Sequence, residues 1–183
     1  MTQGFTHRLA TKADIPALTA LAEAAIDALL GAVLTPAELA ASRLIMGVDS
    51  RLIADGTYFI VERDGQIAGC GGWSRRATPY GGDQSPGRDD ALLDPAADAA
   101  KVRAMYTAPA FARQGVGRMV LQLCERAAAA AGFSRLELTA TAAGEPLYAA
   151  YGFKPERRFT DDRGGAPVPL CVMGKAIAPA RPA

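Results

Sequence analysis

The chain has 183 residues, half of them hydrophobic and about a fifth charged, with a formal net charge of +1; that size suits one domain able to bury a core without disulfides or a structural metal. The near-neutral charge excludes global attraction to nucleic acid or acidic membranes, and no aromatic-basic interleaving marks a nucleic-acid surface. Cys70, Cys124 and Cys171 are far apart, lack CxxC spacing and share the chain with a single histidine, His7, so free thiols, no metal site and, without a signal pattern or an apolar run of about 18 residues, a cytoplasmic protein are expected.

A short strand is expected at Thr6 to Ala10. Thr11 to Asp14 has capping-box spacing, and Ile15, Leu18, Leu21, Ala22, Ala25 and Leu29 recur at helical intervals. Thr35-Pro36-Ala37-Glu38 starts a second helix to about Met46, with a threonine cap, proline at the first helical position and glutamate three residues past the cap. Tyr58 to Glu62 and Gln66 to Trp73 flank Asp64-Gly65, which predicts a hairpin with a type I′ turn.

From Pro79 to Ala100 the chain is rich in Gly, Pro and Asp without periodicity, a long loop of a length often tied to function. Val102 to Thr107 reads as a strand. Val116, Met119, Val120, Leu123 and Ala127 mark one face of a helix ending near Gly132, and Arg135 to Ala140 alternates like a strand. A short helix at Pro146 to Tyr151 and a final strand at Val168 to Lys175 complete the order. Without repeats or linkers, one α/β (α+β) domain with a mixed sheet is expected.

The segment "APAFARQGVGRMVL", Ala108 to Leu121, places Gly115 and Gly117 between basic residues where a helix begins. First-turn N–H groups have no intrahelical partner and carry the positive end of the helix dipole, so such a start can hold an anion; glycines lets it approach the backbone. A plain helix cap is the alternative. A P-loop lacks its GKS or GKT here, and a dinucleotide fingerprint lacks its third glycine, where Val120 stands.

"MYTAPAFARQGVGRMVL" resembles the acetyl-CoA pyrophosphate-binding segment of the GNAT superfamily of N-acetyltransferases, and "PLYAAYGF" resembles the segment that closes that fold's active site. The resemblance covers roughly Thr6 to Ile177. It implies a single GNAT-like domain over residues 1–183, core about 6–177, with a mostly antiparallel central sheet flanked by helices and two strands splayed at the CoA site. The chain departs from the family motif at Ala112, where Gln or Arg usually leads, and at Thr141, where many members carry asparagine.

The same resemblance implies acetyl-CoA as cosubstrate, its pyrophosphate held by Arg113, Gln114, Gly115, Val116, Gly117 and Arg118, and its pantetheine arm along Met105, Tyr106, Thr107 and Thr141. Tyr148 falls where the family carries its acid tyrosine, with packing as the alternative role; Tyr151 reads as packing. The implied activity is direct transfer of an acetyl group to a primary amine of a small molecule or peptide. Trp73 and Tyr80 are candidates for the substrate wall, with a core role open for Trp73, and Glu145 is a substrate candidate. Asp98 and Glu145 are the carboxylates available as a base, or simply solvated. A CoA-binding sensor without transfer is the rival reading. Homodimers are common in the family.

Overall fold

The computed structural model of the protein describes residues 4–178. The elements are β1 (Thr6–Leu9), α1 (Ile15–Ala25), α2 (Pro36–Ile45), α3 (Ser50–Ala54), β2 (Tyr58–Arg63), β3 (Gln66–Ser74), β4 (Ala100–Thr107), α4 (Val116–Ala130), β5 (Arg135–Thr141), α5 (Glu145–Tyr151), β6 (Lys154–Asp161) and β7 (Val168–Ala176).

Local chemistry fixes several boundaries. At the start of α2, Thr35 N–H donates to Glu38 Oε2 at 2.8 Å and Glu38 N–H donates back to Thr35 Oγ1 at 3.3 Å, a reciprocal cap. Asp64 and Gly65 both adopt positive φ, 52° and 75°, as the I′ turn between β2 and β3 requires. Helix α1 does not run on to Leu29 as its periodicity predicts; at Ile26–Leu30 it widens into a π turn, a feature often found at functional sites.

The strands form one seven-stranded sheet in the order β1-β2-β3-β4-β5-β7-β6. Every neighbouring pair is antiparallel except β4 and β5, which run parallel and pair only through Ala100–Val102 and Leu136–Leu138. Beyond Val102 and Leu138 these two strands part. Helix α4 packs on one face with Val102, Val120, Leu121, Phe133 and Leu136, whereas α1 and α3 cover the other with Leu18, Leu52, Ile60, Cys70 and Tyr106.

Two elements escape the sequence pattern. Strand β6, "KPERRFTD", is an edge strand paired only to β7, so most of its side chains are solvated and no alternation marks it. The five-residue α3 is too short to show a period. The segment between β3 and β4 has no helix or strand beyond an Arg76–Leu92 bridge, yet it is tied down: Ser85 Oγ donates to Ile45 O and Gln84 Nε2 to Met46 O at the end of α2.

Candidate active site at the splayed strands

Parting of β4 from β5 opens a cavity of about 190 Å³. Its floor is Met105, Tyr106 and Thr107 of β4 facing Leu138, Thr139 and Thr141 of β5, with Tyr148 at one side; its roof is the π turn, the end of α2, and Tyr80-Gly81 from the long loop. The facing strand edges here are not paired with each other, because the β4–β5 ladder ends at Val102 and Leu138.

Strand β4 is bulged at the cavity. Cys70 and Gly72, two residues apart on β3, face Tyr106 and Arg103, three apart on β4. Ala104 absorbs the extra residue with φ +51°, a left-handed conformation that costs a non-glycine residue about 1–2 kcal/mol. Its carbonyl accepts a 2.7 Å hydrogen bond from the hydroxyl of Tyr58, which is fully buried two strands away.

Tyr148 is seated by its neighbours. Gly144 caps α5, and a Cβ there would stand 2.8 Å from Tyr148 Cε2, so the glycine clears room for the ring. Phe153 meets that ring edge to face, centroids 6.1 Å apart. Burial pushes the phenol up to about 12, so it is protonated at neutral pH and able to give a proton. Tyr151 instead packs beneath two cations, Arg118 at 5.6 Å and Lys175 Nζ at 4.3 Å from its centroid.

The glycine loop follows β4 directly. Ala112 is extended, Arg113 turns left-handed at φ +63°, and Gly115 caps α4 at φ +89°, a conformation that favours glycine. Gly117 has a different reason to be small: its Cβ would come within 2.6 Å of Leu147 Cδ2, so it lets α4 and α5 pack closely. Gln114 Nε2 donates to Ala110 O at 3.0 Å and braces the loop. Residues Arg113 to Arg118 stand at the α4 N-terminus, and none of them lines the cavity.

Three candidates lie elsewhere. Trp73 is 4 % exposed and packs edge to face on Phe133 in the core, so it offers nothing to a substrate wall. Glu145 points to β6 and holds Arg158 in a two-toothed ion pair at 2.7 and 2.8 Å. Asp98 accepts from Asp94 N–H at 2.8 Å and caps a turn in the long loop. None lines the cavity. Tyr80 does; its hydroxyl donates to Asp161 at 3.0 Å, and Asp161 is held below the usual carboxylate range by its hydrogen bonds from Arg163.

Arg103 was not among the candidates, yet among the described residues it is the only charged one in the cavity lining, where no carboxylate or histidine occurs. Its side chain is 2 % exposed and pairs with Asp49 at 2.7 Å; Asp49 in turn serves Arg88 at 2.8 Å. Burial lowers the Arg103 pKa against the pull of Asp49, and its Nε–H has no partner among the described residues. The sequence carries little signal for it, since strand "AKVRAMYT" has two charges, and only the structure separates Lys101, paired with Glu137 on β5, from the buried Arg103. All three cysteines are buried, and burial raises each thiol, Cys70 to about 12, which removes them as nucleophiles.

A family model described as an acetyltransferase (GNAT) domain matches residues 54–155, more than half of the chain. The chain belongs to the GNAT family. Its fold carries the same assignment: a GCN5-related N-acetyltransferase from Rhodopseudomonas palustris superposes with a TM-score of 0.69 at 17% identity, over 94% of this chain and 95% of the other. A ribosomal-protein-alanine N-acetyltransferase from Brucella melitensis gives 0.64 at 22%, over 94% and 99%. A protein from Salmonella typhimurium solved with its cofactor acetyl-CoA gives 0.63 at 19%, over 96% and 95%. No curated protein sequence matches the chain significantly.

The GNAT assignment accounts for the splayed β4–β5 pair and for the glycine loop at the start of α4. It also makes acetyl transfer the general chemistry of the family. Among the described residues no helix is long and apolar enough to cross a membrane.

Proposed function

We propose that this GNAT protein transfers an acetyl group from acetyl-CoA directly to a primary amine of a small molecule or peptide. The observation that carries the reading is the gap between β4 and β5 beyond Val102 and Leu138, with strand edges not paired with each other on its floor and a protonated tyrosine at its side. An extended chain bearing amides can lie on such an edge as an added strand does. Met105, Tyr106, Thr107 and Thr141 would hold the pantetheine arm, and the first-turn amides of α4 with Arg113 and Arg118 would hold the pyrophosphate. Acetyl-CoA supplies an acyl group already activated as a thioester.

The residues then have separate tasks. A β4 amide offers a hydrogen bond to the acyl carbonyl oxygen as negative charge grows there. Tyr148 gives its proton to the departing sulfur. No side chain among the described residues of the lining can act as a carboxylate or imidazole base, so the acceptor enters as the neutral amine, and the proton its nitrogen sheds as the amide forms passes, directly or through water, to the Tyr148 phenolate and restores the phenol. Apolar walls from Ile26, Leu29, Leu30, Ile45 and Met46 and the single positive charge of Arg103 fit an acceptor with an apolar body and an anionic group, and they repel polyamines.

The absence of a base in the lining also favours one rival, a CoA-binding module without transfer. Thiol release from acetyl-CoA across a panel of amines, set beside calorimetric binding of CoA and ATP, separates the two. Turnover with at least one amine supports the transferase; CoA binding with no turnover on any amine supports the module; equal binding of ATP and CoA removes both.

A further inference from the structure

We infer that Tyr58, a buried residue of β2, is a positioning residue for the reaction, setting the orientation of the one peptide group in β4 that faces the acyl carbonyl. The inference rests on the acetyl-CoA reading of the cavity and adds a role that lies two strands away from it.

The geometry runs from β2 to the cavity in three steps. Tyr58 pairs with Gly72 of β3, and a Cβ on Gly72 would stand 2.8 Å from Tyr58 Cδ2 and 2.6 Å from Thr57 O. Only a glycine at that position lets the ring lie across β3 and reach β4. The hydroxyl then ends 2.7 Å from Ala104 O, the carbonyl of the residue in the left-handed bulge, with Cys70 Sγ at 3.3 Å as a second neighbour.

A trans peptide is planar, with its C=O and N–H on opposite sides. Holding the Ala104 carbonyl toward β2 therefore turns the N–H of Met105 the other way, toward the side where β5 has parted and the cavity lies. A regular strand would need no such restraint. Ala104 at φ +51° does, because a left-handed alanine persists only where its surroundings over-determine it. Tyr58 is fully buried, and burial holds its phenol protonated, so the donor is always present. The neighbouring glycine is explained by the same arrangement: on the opposite face, a Cβ on Gly71 would meet Met105 Cγ at 2.6 Å, so both glycines of "CGGW" allow the bulge to settle against β3.

The test compares acetyl-CoA with CoA, which differ only in the acyl group the Met105 amide would contact. In the full-length protein, Tyr58→Phe keeps the ring and removes the donor. The expected result is CoA affinity within about twofold of wild type and a loss of about fivefold in the acetyl-CoA to CoA affinity ratio, one hydrogen bond's worth. Hydrolysis of acetyl-CoA without any amine, read as thiol release, should fall about tenfold in kcat with little change in KM. The Met105 amide cross-peak in a 15N-labelled sample should move on adding acetyl-CoA to wild type and not to Tyr58→Phe.

Gly72→Ala displaces the ring while keeping the hydroxyl and should give the same losses, and combining it with Tyr58→Phe should add little. Cys70→Ala, which leaves the bond to Ala104 intact, should change neither the ratio nor the rate. A folded Tyr58→Phe protein with an unchanged affinity ratio and a Met105 signal that still moves on adding acetyl-CoA overturns the role of Tyr58. Wild-type protein that binds neither CoA nor acetyl-CoA overturns the cosubstrate reading beneath it.

Discussion

Gly144 and Tyr148 fit together only because Gly144 has no side chain: a Cβ there would stand 2.8 Å from Tyr148 Cε2. The backbone of Gly144 is right-handed, φ −86° and ψ −27°, so alanine costs nothing in conformation and acts only by pushing the ring. Tyr148→Phe should lower kcat about 100-fold, the usual worth of a positioned acid, with CoA affinity unchanged. Gly144→Ala should lower kcat by a smaller factor, and the double variant should be no worse than Tyr148→Phe alone. Additive losses would show that Gly144 matters for some reason other than the seat of Tyr148.

The pH profile should carry the acceptor's signature rather than the enzyme's. Burial raises Tyr148 to about 12, so the acid stays protonated and kcat/KM should not fall between about pH 7 and 10. With no carboxylate or histidine among the described residues of the lining, the rising limb should follow deprotonation of the free amine. Two acceptors of different basicity should shift that limb by the difference in their own pKa values. A limb fixed near one pH for both acceptors would reveal a base in the protein.

Arg103 and its partners yield a prediction about stability and one about selectivity. Asp49 is fully buried and faces two guanidinium groups, so Asp49→Asn strands Arg103 in the interior and should destabilise the fold by about 3–5 kcal/mol in denaturant unfolding. An apolar amine that also bears a carboxylate should be acetylated in preference to its decarboxylated counterpart and to a linear polyamine. Preference for the polyamine would exclude Arg103 from acceptor selection.

Much of this was legible in the residues. Periodicity found α1 and α4, the Thr35-to-Glu38 cap found α2, the Asp64-Gly65 pair found the hairpin, and the resemblance over Pro109 to Phe153 pointed to the splayed strands. What stayed hidden follows from long-range geometry. Trp73 carries the same letter whether it faces a cleft or Phe133, and only the sheet decides. The π turn continues the apolar spacing of α1, and its wider ring appears only where the cavity needs a roof. Arg103 and Asp49 are 54 positions apart, and nothing local couples them. Gly117 looks like a phosphate glycine in the motif, yet its tightest neighbour is Leu147.

Asp161 should make the acceptor side of the cavity acid-sensitive. It joins Tyr80 of the long loop to β6, its side chain 1 % exposed and its pKa held low chiefly by hydrogen bonds from Arg163. A depressed folded-state pKa means that its contribution is present above the unfolded value, near 4, and is lost as pH falls through the folded value. Asp161→Asn should therefore cost about 1–2 kcal/mol at pH 7 and progressively less below about pH 4. Urea unfolding at pH 7 and pH 3 measures both; an equal cost at the two values would assign the effect to packing.

The glycine loop can be tested without knowing the acceptor. Gly115 caps α4 at φ +89°, where a Cβ is strained, so Gly115→Ala should distort the first-turn amides and weaken CoA binding about tenfold or more. Ala112, in the position where the family motif usually carries Gln or Arg, is extended and donates its own N–H to Pro109 O at 3.2 Å. If backbone amides from Arg113 to Arg118 carry the recognition, Ala112→Gln should change CoA affinity by less than about threefold, under 1 kcal/mol. A gain well beyond that in calorimetry would mean that the loop lacks a side-chain contact its relatives use, and that the positive ends of Arg113 and Arg118 only partly replace it.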